Sequence, residues 1–289
     1  MLMKIQVADL KFSYGLKRVL GISRVEFEPG NIYAIVGKNG VGKTTFFKTL
    51  TNIITNYSGY VHINGEQVKE NPHVLSNVGI VLDDMELYKN QTGMFNLHYF
   101  GGLRGGFDEN YALRLAEELE IATALEQKVS TYSLGMSKKL ILLISLMNAA
   151  QILIFDEPFR GLDKKSVAWF RNYLLYLKSQ NRMILISSHI QEDIEAIADR
   201  VLVMVDGDFR SEFDLKDTSQ IFVYKVEVNN QEMFMNLLED SGIASIRNEK
   251  MIEFRAQEAS YKEIFRIAVA NGGEFYQIKR ESQFAEFVQ

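Results

Sequence analysis

Gly37-Lys38-Asn39-Gly40-Val41-Gly42-Lys43-Thr44 lies between an apolar run, Ile32 to Val36, and a segment from Thr44 to Ile54. In that segment Phe46, Phe47, Leu50 and Ile53 recur at helical spacing. The eight residues fit the pattern GxxxxGK[ST], and a strand before and a helix after are the context that pattern needs. Glycines let backbone N–H groups turn inward around phosphate oxygens, and the following helix aims its positive end at the same oxygens. Lys43 is the expected counter-charge for the outer phosphates, and the Thr44 hydroxyl the expected ligand of Mg²⁺. A plain glycine-rich strand–helix turn is the competing reading.

Working outward, short apolar runs alternate with helical patterns. Strands are predicted at 60–63, 78–82, 151–155, 183–187 and 200–205, and helices at 92–104, 108–126, 137–150, 163–179 and 190–198. Asp108 is a suitable N-cap, Asn64-Gly65 reads as a type I′ hairpin turn, and Asp206-Gly207 as a further turn. This alternation predicts an α/β fold with a largely parallel, helix-covered sheet. Near Lys216 the pattern changes to strand (221–228), helix (231–241), two strands (243–247, 250–255), helix (260–270) and strand (274–279). That order is the ferredoxin-like βαββαβ unit, and a short helix capped by Ser282, with Phe284, Phe287 and Val288 on one face, is expected to close it. The predicted domains are 1–215 and 216–289.

Ile152-Leu153-Ile154-Phe155 runs straight into Asp156-Glu157. A strand ending in two acids is often only a helix cap. Beside a phosphate loop it also brings Asp156 to a Mg²⁺ ion and Glu157 to the attacking water, at the C-terminal edge of the sheet.

Tyr132-Ser133-Leu134-Gly135-Met136, followed by Ser137-Lys138-Lys139, comes about twenty residues before Asp156. With it, residues 1–215 resemble the ATP-binding subunits of ABC transporters, and this segment is similar to their LSGGQ signature. The resemblance implies a P-loop NTPase with a helical subdomain at about 90–150 and an antiparallel β subdomain. It implies ATP and Mg²⁺ as cofactors and a transport-coupled ATPase. Around the nucleotide it places Gly37, Asn39, Gly40, Gly42, Lys43, Thr44 and Thr45, with Ser133 and Gly135 reaching across from a second subunit. Gly161-Leu162-Asp163 is similar to the D-loop, and Asp163 is equally suited to cap the next helix. His189, in Ser187-Ser188-His189, is similar to the switch histidine. Tyr14, in Phe12-Ser13-Tyr14-Gly15, stands where the family stacks an aromatic on adenine; a core aromatic on a strand is the other reading.

One position departs from the family. Where a Gln usually follows the strand at 78–82 this chain has Asp83, and Gln91 lies too far along to replace it. A carboxylate can ligand Mg²⁺ but donates no amide N–H, and it adds negative charge near phosphates. Asp83 is therefore expected as a catalytic and metal-site residue alongside Glu157, His189, Thr44 and Asp156.

The resemblance also implies partners: a homodimer, or a heterodimer with another cassette, and an integral membrane permease. The aromatic-rich stretch Leu87, Tyr88, Met94, Phe95, Leu97, Tyr99, Phe100 falls where the family receives a short helix of that permease. Residues 216–289 look like the accessory domain of the drug, peptide and antibiotic exporters, as a packing module or as a sensor. Soluble P-loop kinases or GTPases, ribosome- or DNA-directed ABC proteins, and a cassette that binds ATP for assembly alone are the rival readings. Composition constrains the rest. The 289 residues are 47% apolar and 24% charged, with net charge −5 and no basic block, which argues against nucleic acid. There is no cysteine, so thiol chemistry and disulfides are excluded. Neither a signal peptide nor a run of about 20 apolar residues is visible, so a peripheral position on the cytoplasmic face of the membrane is expected.

Overall fold

The computed structural model describes residues 4–217 and 220–288. Residues 1–3, part of the stretch read for a signal peptide, lie outside it. Two compact units emerge: one runs to Phe213 and takes in Val288, and the other is Asp214–Phe287.

In the first unit the chain runs β1 (Ile5–Tyr14), β2 (Lys17–Phe27), β3 (Ile32–Val36), α1 (Lys43–Leu50), β4 (Ser58–Ile63), β5 (Glu66–Gln67), β6 (Val78–Val81), α2 (Gly93–Gly102) and α3 (Glu109–Glu118). It continues α4 (Leu134–Leu146), β7 (Ile152–Phe155), α5 (Lys164–Ser179), β8 (Met183–Ser187), α6 (Gln191–Ile197), β9 (Arg200–Val205) and β10 (Asp208–Asp214). A six-stranded sheet of order β10-β9-β3-β8-β7-β6 forms the centre, and its β9-β3-β8-β7-β6 pairs are all parallel. Every residue of β3, β7 and β8 is buried. Their near-continuous apolar runs, broken only by Ser187 at the end of β8, follow from burial on both faces. Because the strands are parallel, the loops after β3, β6, β7 and β8 emerge at one edge. A four-stranded sheet, β2-β1-β4-β5, is antiparallel throughout. Its β4–β5 turn has Asn64 and Gly65 at φ 56° and 82°, as the type I′ reading requires. Phe27, Phe46, Phe47, Tyr33 and Ile154 belong to one core cluster.

Helix ends depart from the periodic pattern for local reasons. α1 stops at Leu50 and not at Ile54, because Asn52 turns left-handed (φ 57°) and Ile53 N–H returns to the Lys48 carbonyl. α3 starts after the expected Asp108 cap but ends at Glu118, where Glu120 takes φ 58°. α4 begins at Leu134, three residues before the expected start, since Ser133 accepts the Met136 N–H as N-cap.

The second unit runs β11 (Ile221–Val228), α7 (Gln231–Asp240), β12 (Ser245–Asn248), β13 (Met251–Gln257), α8 (Glu258–Ala270) and β14 (Phe275–Ser282). Its antiparallel sheet has the order β12-β13-β11-β14. Tyr224, Phe234, Leu238, Ile252, Phe254 and Ile264 share its core. Ser282 is not a helix cap: it pairs with Phe222 as the last residue of β14, and only a 3₁₀ turn, Ala285–Phe287, follows.

Candidate functional site

The phosphate loop leaves β3 with Gly37 at φ 152° and enters α1 from Gly42 at φ 119°. A Cβ on Gly37 would lie 2.4 Å from the Met204 carbonyl, and one on Gly42 3.0 Å from the Val19 carbonyl. Backbone angle and close approach both demand glycine at these two positions. Lys43 is only 8% exposed, and its Nζ donates to the carbonyls of Gly37 (2.5 Å) and Lys38 (3.3 Å). Burial pushes the Lys43 ammonium below its ordinary pKa, against the opposing pull of Glu157 and Asp156.

Asp156, 2% exposed, follows β7, and its N–H donates to the Val81 carbonyl of β6. Its Oδ2 accepts the Thr44 hydroxyl at 2.5 Å and its Oδ1 accepts the Ser187 hydroxyl at 2.5 Å. Ser187 Oγ in turn accepts the Glu157 N–H at 2.9 Å. One hydroxyl at the end of β8 therefore ties both acids after β7 in place. Glu157 has φ 49°, an uncommon angle for a residue with a side chain, and such strain persists only where its surroundings impose it. Its Oε2 lies 2.7 Å from His189 Nδ1. A carboxylate only accepts, so Nδ1 carries the proton and Nε2 is left for another partner.

These groups face one cavity of about 440 Å³. Its wall includes Asn39, Gly40, Gly42, Lys43, Thr44 and Thr45 from the loop and helix α1, with Asp156, Glu157, His189, Asp83 and Arg160 from the other strand ends. Thr44 and Asp156 offer two hard oxygen ligands side by side. Among the described residues no group of three or more His, Asp or Glu side chains is arranged to hold a metal ion. A divalent ion here would complete its shell from substrate oxygens and water, which suits Mg²⁺.

Of the other expected residues, all but Asp83 lie off this wall. Gly37 forms the base of the loop. Tyr14 is 57% exposed at the end of β1, edge-on to Phe12 at 4.8 Å, so it is not a core aromatic. Ser133 is exposed at the head of α4, and a Cβ on Gly135 would lie 3.3 Å from the Gly161 carbonyl. Asp163 caps α5 through the Ser166 N–H (2.8 Å) and pairs with Lys139 (3.0 Å). The Ser166 N–H and the Lys139 ammonium hold its carboxyl well below the usual range. Asp83 gives Oδ1 to Lys138 (3.1 Å) and Oδ2 to Arg160 (3.4 Å), so acting as a metal ligand would require it to give up an ion pair.

Two residues escaped sequence reasoning. Arg160 has no motif of its own. Ser187 had a signal, a lone hydroxyl ending the otherwise apolar run Met183-Ile184-Leu185-Ile186. Ser187→Ala should leave Asp156 Oδ1 and the Glu157 N–H without a partner, at about 1–3 kcal/mol each. The expected result is lower stability in denaturant and a fall in any turnover that exceeds the fall in nucleotide affinity. Unchanged stability and turnover would remove Ser187 from its positioning role.

Comparison with known proteins points the same way. The family pattern described as ABC transporter matches residues 11–160. The bacitracin transport ATP-binding protein BcrA of Enterococcus faecalis is 34% identical over 215 residues, 74% of this chain and 70% of that protein. The lantibiotic transport ATP-binding protein SrtF of Streptococcus pyogenes is 31% identical over 203 residues, 70% of this chain and 87% of that one. A solved ATP-binding subunit of an ABC transporter superposes with a TM-score of 0.68 at 21% identity, covering 92% of this chain and 99% of its own, and so shares the fold.

Proposed function

The chain belongs to the ABC transporter family, and we propose that it is the ATP-hydrolysing subunit of an export system, acting as a dimer on the cytoplasmic face of a membrane beside a separate permease. The convergence of Lys43, Thr44, Asp156, Glu157 and His189 on one cavity carries this reading. Lys43 exchanges the Gly37 carbonyl for β- and γ-phosphate oxygens. Thr44 and Asp156 hold Mg²⁺, which when bound neutralises charge on those oxygens. Glu157 accepts a proton from water as its oxygen attacks the γ-phosphorus and the bond to the ADP oxygen breaks. His189 keeps Glu157 aimed through Nδ1–H, and when its Nε2 also carries a proton that N–H donates to the γ-phosphate. Tyr14, exposed and at the end of a strand, stacks on adenine.

Ser133 and Gly135 are absent from the wall of their own cavity, which supports their acting on the nucleotide of a second subunit. ATP is then shared between two copies, and loss of its γ-phosphate lets them part. Asp163 serves the same interface. Tyr88, Phe95 and Tyr99 are exposed and in ring contact, with Tyr88–Tyr99 centroids 4.7 Å apart, a surface suited to a short apolar helix of the permease. Asn96, buried, fixes this segment by accepting the Tyr88 N–H and donating to the Thr92 carbonyl. No helix among the described residues is long and apolar enough to cross a membrane. BcrA and SrtF are named for bacitracin and lantibiotic transport, and a peptide antibiotic is the cargo class we assign. Residues 1–215 are the cassette and 216–289 an accessory packing unit.

The dimer is testable by sedimentation with MgATP in a hydrolysis-arrested Glu157→Gln background. Dimers are expected there and not after Gly135→Asp is added, because a carboxylate would face the second subunit's γ-phosphate. Nucleotide binding by single protomers should persist. ATP-dependent dimers in the double variant would refute the shared site.

A further inference from the structure

Asp83, Asp156 and Glu157 put three carboxylates around a cavity read here as the seat of a triphosphate. Two cations answer the charge of Asp83, and they answer it differently. Lys138, on α4, is 14% exposed and lies 3.1 Å from Oδ1. Arg160 is 65% exposed and reaches Oδ2 through one nitrogen at 3.4 Å. An exposed, long, single-nitrogen ion pair holds its partners weakly. A guanidinium offers a planar fork of donors that matches a phosphate in two parallel bonds, roughly twice as strong as neutral ones. Arg160 already lines the cavity, and its N–H donates to the Glu157 carbonyl at 3.2 Å, so its backbone is tied to the acid beside the reacting phosphate.

We propose that Arg160 is a further phosphate-binding residue, which Asp83 holds in readiness and which leaves Asp83 for the terminal phosphate when ATP binds. This rests on the cavity being an ATP site. Asp83 is a positioning residue in this scheme. It keeps Arg160 at the cavity wall when the terminal phosphate is absent, and it keeps its closer pair with Lys138, on the helix headed by Ser133, when that phosphate is present. ADP has no γ-phosphate to take the guanidinium, so Arg160 contributes to choosing ATP over ADP.

Calorimetric titration of the full chain with Mg²⁺ and either ADP or the non-hydrolysable analogue AMP-PNP tests this. Arg160→Ala should weaken AMP-PNP binding by about tenfold, the value of one charged hydrogen bond, and leave ADP binding within about twofold. Arg160→Lys should recover part of the loss, since it restores the charge but not the fork. Asp83→Asn, which removes the competitor, should tighten AMP-PNP binding by about threefold with ADP unchanged, the release of a weak pair. Equal changes for both nucleotides in Arg160→Ala, or none, would overturn the role of Arg160 while leaving the ATP site intact. A parent protein that binds neither nucleotide would sink the ATP-site reading and this inference together.

Discussion

Glu157→Gln is expected to bind MgATP as the parent does and to hydrolyse it at least ~10²-fold more slowly, the usual contribution of a general base. The substitution preserves shape but leaves an amide that cannot take a proton from water. Its carbonyl oxygen can still accept from His189 Nδ1, now 2.7 Å from Glu157 Oε2, and its backbone N–H can still donate to Ser187 Oγ. Fold, loop and metal ligands should therefore survive while the chemical step fails. Phosphate release under single-turnover conditions, set beside nucleotide affinity, separates the two effects. Closed dimers should accumulate, because the γ-phosphate joining them is not removed. Parent-like turnover would take Glu157 out of the reaction.

Lys43→Ala is expected to weaken ATP binding by about 10²–10³-fold, the loss of two charge-assisted hydrogen bonds to phosphate at about 1.5–3 kcal/mol each, discounted for overlap. The fold should suffer far less. Burial lowers the Lys43 pKa despite Asp156 and Glu157, so in the nucleotide-free protein the cation sits in surroundings that disfavour its charge. Removing it relieves that penalty, while the Gly37 and Lys38 carbonyls lose a donor, and the two effects oppose. The cation becomes favourable only when phosphate charge arrives. Calorimetric titration with ATP and a thermal melt distinguish the outcomes: a large loss of affinity with a small change in melting temperature supports the role. Parent-like affinity would refute it.

Much of this was legible in the chain. Ile32–Val36, Ile152–Phe155 and Met183–Ser187 declare buried strands through near-continuous apolar runs, and the loop glycines, the Asp108 cap and Asn64-Gly65 declare turns through backbone preference. Those rules act within a few residues, so they survive reading in one dimension. They failed where caps competed with periodicity: Ser133 pulled the start of α4 forward, and Asn52 and Glu120 stopped α1 and α3 early. They also left β1, β2 and β10 unassigned, because these strands mix exposed and buried positions and carry no continuous apolar signal.

Local order alone therefore settled where a phosphate loop turns and which strands run through the core, because glycine sterics, side-chain branching and capping are properties of neighbours along the chain. It could not settle which side chains meet. Asp156 receives hydroxyls from Thr44, 112 residues before it, and Ser187, 31 after it, and Asp83 pairs with Arg160 across 77 residues. Parallel strand order brings those ends to one edge. Whether Tyr14 is covered or open, and whether Asp83 faces a metal or two cations, depends on what folds against each of them, and that is set by the whole sheet and its helices at once.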